Sequence, residues 1–159
     1  MVARLLTALL LAGLAEDIVL AQTSVRAELV VVVRSNSTIT GVSQADLRRI
    51  YLGGITRWPD DHRIIPVLLD PQSDTGKLFL KRVVRMTDID YAQHWIGQVF
   101  RGQASAPPRV VRSAAEAKRY VTAHPYSITF LAPEDVDGSV KVLRVDGKAI
   151  DEPDYPLAW

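Results

Sequence analysis

The sequence predicts an α/β domain made of a single lobe, in which a mostly parallel sheet is flanked by helices. Two observations support this class. Apolar, β-branched runs alternate with segments that begin at helix-capping residues, which is typical of strand–helix–strand units. The first run, Leu29–Val33, is apolar at every position, as in a strand buried on both faces of a parallel sheet. The length of 159 residues fits one domain of about 150 residues.

The predicted strands are segments rich in β-branched residues. After Leu29–Val33 they are Ile64–Leu69, Ser127–Leu131 and Val140–Val145. Pro66 has no backbone N–H to donate, so we expect the second strand to lie near an edge of the sheet or to begin irregularly.

Helix starts are marked by capping boxes, in which a Ser or Thr side chain binds the backbone N–H three residues later. Three such pairs occur in the chain: Ser43 with Asp46, Thr87 with Asp90 and Ser113 with Glu116. Ser73 is expected to cap a further helix from about Asp74 to Arg85. Gly53 is expected to end the first helix. In the third helix, we expect Trp95, Val99 and Phe100 to face the core.

The first residues are predicted to be a signal peptide, residues 1–21, cleaved after Ala21 or, as a second candidate, after Ala27. Leu5–Ala15 is an apolar run of the length of a signal-peptide core and is too short to span a bilayer. The alternative is a buried N-terminal helix. Cleavage predicts a periplasmic protein with no membrane span, whose domain covers residues 28–159.

Composition and motifs exclude several classes of function. The 19 basic and 18 acidic residues are mixed along the chain and give a net charge of +1, so nucleic acid is not an expected partner. The chain has no cysteine, which excludes thiol nucleophiles and zinc–thiolate sites. No nucleophile elbow, phosphate loop or dinucleotide fingerprint is present. The turn Asp60–His62 is better explained by local backbone capping than by a metal site. We therefore predict a non-enzyme without metal or cofactor.

Candidate ligand-binding residues lie where strands end, because ligands of open α/β sheets bind beyond the carboxyl ends of the strands. The candidates are Ser35 and Asn36 after the first strand, and Ser73, Asp74, Thr75 and Gly76 after the second. The second group opens a helix, whose free N–H groups suit an oxyanion. The alternative is plain helix capping by Ser73. The ligand prediction requires both turns to meet at one rim of the sheet, and placement of Ser35 and Ser73 on opposite sides would rule out that pocket and, with it, the recruitment of an anion there.

Several segments together resemble the substrate-binding proteins of phosphate-type ABC transporters. The matching segments are Ile50–Ile55 with Trp58, the strand Ile64–Leu69 followed by Ser73–Thr75 and Phe79, the strand Ser127–Phe130, Asp146–Gly147 and Tyr155–Leu157. They occur in the family's order over positions 29–157. The resemblance implies a periplasmic-binding-protein-like lobe. It also indicates that the stretch from Gly53 to Trp58 is structural, a helix stop followed by a Trp packed on the sheet.

The resemblance also implies a function, although the chain departs from the family. The family holds phosphate between two lobes, and this chain has room for one. Leu69 occupies the position of the family's Arg, Asp74 replaces a Gly, and only Ser73 and Thr75 carry over as ligands. The chain is therefore expected to be an exported solute-binding-protein-like domain that binds phosphate or a similar oxyanion weakly, as an accessory to ABC-type uptake. Expected partners are an ABC permease or a second copy. The alternative is a periplasmic protein-interaction module that has lost ligand binding.

Overall fold

A computed structural model describes residues 28–159 of the chain. The predicted signal peptide, residues 1–21, lies outside the described residues. Within residues 28–159 no helix is long and apolar enough to cross a membrane.

Residues 28–159 form two sheets and four α-helices. The strands are β1 (Val30–Arg34), β2 (Gly41–Val42), β3 (Ile65–Leu69), β4 (Arg109–Val111), β5 (Ser127–Leu131), β6 (Val140–Val142) and β7 (Arg144–Val145). The helices are α1 (Gln44–Tyr51), α2 (Asp74–Phe79), α3 (Asp88–Phe100) and α4 (Ala114–Ala123). The main sheet has the order β4-β3-β5-β1-β6, and β2 pairs with β7 in a small parallel sheet.

The main sheet is mostly parallel, but β1 is the exception. β3 pairs in parallel with β4 and β5, whereas β1 pairs antiparallel with β5 and β6. The prediction that Leu29–Val33 is buried on both faces is confirmed, since Val30–Val33 are all buried. Its assignment to the parallel part of the sheet is wrong. Helices cover both faces of this sheet, so burial carries no information about strand direction.

One strand prediction is confirmed and one needs correction. β3 lies near an edge of the sheet, next to the edge strand β4, and Pro66 is tolerated because β4 pairs only with residues 67–69. The predicted strand Val140–Val145 is divided into β6 and β7, which belong to different sheets. Leu143 lies between them and donates its backbone N–H to the carbonyl of Val31 at 2.8 Å.

The predicted helix starts are confirmed. The side chains of Ser43, Thr87 and Ser113 accept hydrogen bonds from the backbone N–H groups of Asp46, Asp90 and Glu116. The helix predicted from Asp74 to Arg85 is α-helical over α2 only and continues as a π-helix over Leu80–Val84. Arg85 ends it in the left-handed conformation, with φ of +61°.

The helices lie on opposite faces of the main sheet. Leu68 and Val110 are paired neighbours on β3 and β4 and line one groove with α3. The adjacent Arg109 points to the other face, where its guanidinium lies 4.9 Å from the ring centre of Tyr120 on α4. On the α3 face, the rings of Phe79 and Phe130 stack at 3.7 Å. α2 and α3 therefore cover one face, and α4 covers the other.

The inward face of α3 differs from the prediction. Trp95 is buried, but Val99 is 41% exposed and Phe100 is 91% exposed. The buried face continues instead through Gln98, whose side chain donates to the carbonyl of Leu52. Helical geometry explains Phe100: Gln98 lies three residues after Trp95 and shares its face, whereas Phe100 lies five residues after it and does not.

Candidate functional site

The two predicted ligand turns lie at opposite ends of the strands of the main sheet. β1 runs antiparallel to β5, and β5 runs parallel to β3. The carboxyl end of β1, which leads into Ser35 and Asn36, therefore lies at the end of the sheet where β3 and β5 begin. Ser73 follows the other end of β3. The prediction that these turns meet at one rim is wrong, and a pocket shared between them is ruled out.

Ser35 and Asn36 are exposed in a tight turn. The turn is closed by a hydrogen bond from the backbone N–H of Ser37 to the carbonyl of Arg34 at 3.1 Å. Lys141 supports it by donating a hydrogen bond to the Ser37 carbonyl. These contacts connect β1 to its neighbour β6 and bring no other predicted ligand residue to the turn.

The segment from Asp70 to Gly76, called the Ser73 turn below, joins β3 to α2. The Ser73 hydroxyl donates to the carbonyl of Asp70 at 2.7 Å and accepts from the N–H of Gly76 at 3.1 Å. These two hydrogen bonds are those of a helix cap. Ser73 itself therefore performs the capping role that was the alternative to ligand binding. The N–H groups of Asp74 and Thr75 have no acceptor among residues 28–159.

Gly76 holds the first turn of α2 directly against the end of β3. A Cβ atom at this position would lie 2.1 Å from the carbonyl oxygen of Asp70 and 2.9 Å from that of Leu69. Both neighbours are backbone atoms that no rotamer change can move. Gly76 is therefore required for this close approach, which fixes the position of the helix start.

The carboxyl ends of β3 and β4 lie side by side. Asp70 donates its N–H to the carbonyl of Val111 at 2.8 Å, which places the turn after β3 beside the turn after β4. The chain then continues from β3 into α2 on one face and from β4 into α4 on the other. Adjacent parallel strands whose helices go to opposite faces create the crevice in which open α/β sheets bind ligands. We call this the edge crevice.

Sequence reasoning missed the β4 side of the edge crevice. Arg112 is exposed at the first position after β4, and Ser113 caps α4 beside it. β4 has three residues, too few for a recognisable hydrophobic run. The available signal was Val110 and Val111 directly before the capping box of Ser113.

The edge crevice carries charges of both signs. The Asp74 side chain is exposed at the start of α2, and the Asp70 carboxylate accepts a hydrogen bond from the N–H of Gln72 at 2.9 Å. On the other side, the carboxylate of Glu116 accepts from the N–H of Arg112 at 2.9 Å. The carboxylates are compatible with helix capping but oppose the approach of an anion.

The turn around His62 is structural in its contacts. The His62 ring stacks on Tyr126 with 3.9 Å between ring centres, and its Nδ1 lies 3.2 Å from a carboxylate oxygen of Asp60. Nowhere in the described part of the chain do three or more His, Cys, Asp or Glu side chains form a group that could hold a metal ion.

The stretch that resembles the transporter family has a packing role. Gly53 has φ of +79° and follows the end of α1, as a helix stop requires. Trp58 is buried, and its indole N–H donates to the carbonyl of Tyr126 at 3.0 Å, just before β5. These contacts agree with the structural interpretation of the stretch.

The fold is similar to about half of each of several solved proteins of phosphate ABC transporters. An ABC-type phosphate transport receptor from Vibrio cholerae matches with a TM-score of 0.62 and 22% identity, over 77% of this chain and 48% of its own. A putative phosphate ABC transporter substrate-binding protein with bound phosphate, from Clostridium perfringens, matches with a TM-score of 0.63 and 19% identity, over 77% and 46%. PstS from Borrelia burgdorferi matches with a TM-score of 0.62 and 16% identity, over 82% and 53%.

These likenesses confirm the predicted single α/β lobe and the resemblance to this family at the level of the fold. The chain spans about half the length of the solved structures it matches. No family model matches the sequence, and no curated protein sequence is significantly similar to it.

Proposed function

We propose that this chain is an exported solute-binding-protein-like domain that binds phosphate or a similar small oxyanion weakly. The observation that carries the proposal is the edge crevice, at which the start of α2 offers free backbone N–H groups. Ligands of open α/β sheets bind in such crevices. Further support comes from the fold, which is shared with a phosphate transport receptor and with a protein containing bound phosphate.

The anion would be held by donors at the first turn of α2. These are the backbone N–H groups of Asp74 and Thr75 and the hydroxyl of Thr75. The Ser73 hydroxyl already donates to Asp70, so its contribution is to hold the turn in shape. Gly76 contributes through its close packing on β3. Ser35 and Asn36 take no part, because they lie at the opposite edge of the sheet.

The expected affinity is low for a physical reason. Phosphate is strongly hydrated, and several charge-assisted hydrogen bonds are needed to replace its water. The start of α2 offers three uncharged donors, and the carboxylates of Asp70 and Asp74 stand beside them. Arg112 supplies positive charge from the β4 side. We therefore expect a dissociation constant of about 1 mM, which corresponds to about −4 kcal/mol.

The biological role that fits weak binding is accessory. After cleavage of residues 1–21, the domain would act in the periplasm beside an ABC permease and deliver the anion without changing it chemically. This role needs no catalytic group, cofactor or metal.

Calorimetric titration of the mature chain with inorganic phosphate tests the proposal. We expect saturable heat with a dissociation constant of about 1 mM. Thr75→Val removes the hydroxyl at nearly constant shape and should weaken binding several-fold. Ser35→Ala is the matched control, since it removes a hydroxyl at the opposite edge, and it should bind like the parent. Absence of heat and of any thermal shift at high phosphate concentration would contradict the proposal.

A further inference from the structure

Helix α3 carries a second apolar stripe that faces solvent. Ile89, Ala92, Ile96 and Val99 follow one another at spacings of three, four and three residues, with Phe100 beside the last. Ile89 is 64% exposed, Ile96 is 69% exposed and Phe100 is 91% exposed. This spacing is that of the a and d positions of a helix that packs against another helix. The buried face of α3, with Tyr91 and Trp95, is separate from this stripe.

The exposed stripe borders an apolar groove. The groove has a volume of about 590 Å³ and lies between α3 and the edge strand β4, with Leu68 at its floor and Val110 on its wall. Val110 is 52% exposed. Within residues 28–159, every large hydrophobic side chain that is exposed belongs to α3 or is Val110. We call the stripe and the groove together the α3 surface.

The size of the α3 surface is compatible with a stable protein contact. Its five exposed large side chains present on the order of 500 Å² of apolar area, a patch of the size that marks interaction sites on monomers. A standard interface buries about 800 Å² on each partner, of which the outer part is polar. The apolar stripe is therefore large enough to form the centre of such an interface.

The charges on α3 are complementary to those on an antiparallel copy of itself. Asp88 and Asp90 stand at the beginning of the helix, and Arg101 stands directly after its end. Among the described residues, the Arg101 guanidinium donates only to the side-chain amide oxygens of Gln98 and Gln103. Across residues 28–159, neither Asp88 nor Arg101 takes part in an ion pair. When two α3 helices are antiparallel, the acidic start of each helix lies beside the end of the other helix, where Arg101 stands.

Pairing of β4 with another strand is a less suitable way to cover the α3 surface. Pro107 and Pro108 directly precede β4, which has only three residues. Short edge strands next to proline resist the addition of a further strand. Helix packing through α3 has no such obstacle, and Ala92 at the middle of the stripe allows close approach.

We propose that the α3 surface is the interface of a symmetric homodimer in which the α3 helices of two copies pack antiparallel. A two-fold axis brings the same patch of both copies together, so one apolar stripe with self-complementary ends is sufficient. This inference goes beyond anion binding and does not depend on it, because the edge crevice and the α3 surface are tested by separate measurements.

Sedimentation of the mature chain over a wide range of protein concentration tests the dimer. We expect a reversible monomer–dimer equilibrium. Ile96→Glu places a charge in the centre of the stripe and should weaken the dimer at least tenfold, with an unchanged melting temperature of the monomer because Ile96 is exposed. Ala115→Glu, at an exposed position of α4, is the matched control and should leave the dimer intact. A monomer at every concentration, or a dimer insensitive to Ile96→Glu, would overturn the proposal.

Charge reversal tests the antiparallel arrangement. Asp88→Arg and Arg101→Glu each place like charges at both ends of the homodimer and should each weaken it about tenfold. In a mixture of the two variants, the heterodimer regains attraction at both ends, so mixing should restore association. Mixed chains that associate no better than the separate variants would rule out the antiparallel pairing.

Discussion

The Tyr51 hydroxyl donates a hydrogen bond to the carbonyl oxygen of Val67 at 2.8 Å, which joins the end of α1 to β3. Tyr51 is fully buried, and burial raises the pKa of its phenol well above the usual value of 10.0. The Tyr51 carbonyl accepts hydrogen bonds from the Tyr91 hydroxyl at 2.8 Å and from the Trp95 indole N–H at 3.2 Å. One residue therefore connects α1, β3 and α3.

Tyr51→Phe should lower the free energy of unfolding by about 1 kcal/mol, the net contribution of one buried hydrogen bond. The loss is limited because Val67 keeps a second donor, the Thr129 hydroxyl at 3.0 Å. Urea denaturation of both proteins measures the difference.

The matched control for this prediction is Tyr155→Phe. The Tyr155 hydroxyl is buried without a hydrogen-bond partner in the described part of the chain, and burial raises its pKa to about 12. Removing an unpaired buried hydroxyl costs nothing and relieves its desolvation, so this variant should be as stable as the parent or more stable. Equal destabilisation by both substitutions would contradict the hydrogen-bond explanation.

Gly76→Ala should destabilise the protein by about 2 kcal/mol, the usual range for inserting a methyl group into a packed site. The new Cβ would meet the backbone carbonyls of Asp70 and Leu69. Gly138→Ala is the control, since no atom lies within 4 Å of the place that a Cβ would take there. Thermal melting compares the two, and a Gly76→Ala protein as stable as the control would show that the turn relaxes freely.

Asp74→Asn should strengthen phosphate binding two- to fivefold. The substitution removes a negative charge at the start of α2, where charge effects are about 0.3–1 kcal/mol, and keeps the size of the side chain. Calorimetry under the conditions used for the parent provides the measurement. Unchanged affinity would show that the anion does not approach the Ser73 turn.

Asp137→Asn should make the stability of the folded protein depend less on pH in the acid range. The hydrogen bond from Lys118, at 2.6 Å, and those from Ser139 lower the pKa of Asp137 well below its usual value of 3.8. A lowered pKa stabilises the folded state above the unfolded pKa, and this contribution is lost as the pH falls below about 4. Because Asp137 is exposed, the effect is small.

Urea midpoints from about pH 7 to pH 2 measure this contribution. The variant should have a lower urea midpoint than the parent at neutral pH, and the two midpoints should become equal in acid. Asp151→Asn, at an exposed position without an ion pair among residues 28–159, is the control and should follow the parent throughout.

The sequence was most informative where structure depends on near neighbours. The caps at Ser43, Thr87 and Ser113 each involve an N–H only three residues away. The strand Ser127–Leu131 has the predicted bounds because it is rich in β-branched and aromatic residues, which favour strands. The strand β4 was not predicted from the sequence, because its three residues form a strand only through pairing with β3.

The candidate site was predicted in part for the same reason. The Ser73 turn can be identified from its own residues, since it is a capping segment after a strand. Its neighbour across the edge crevice, Arg112, is close to it only through the pairing of β3 with β4. Ser35 and Asn36 were assigned to the wrong edge because the direction of β1 is not encoded in its own burial pattern.

By itself, the sequence determined the class of fold, the helix starts and the main apolar runs, because these follow from propensities and contacts within a few residues. Only the tertiary structure decided the direction of β1 and the outward exposure of Phe100. Val32 of β1 pairs with Thr129 of β5, almost a hundred residues further along the chain, and Phe100 is exposed because other residues of α3 occupy the core. Such outcomes depend on which distant surfaces meet, and no local pattern specifies them.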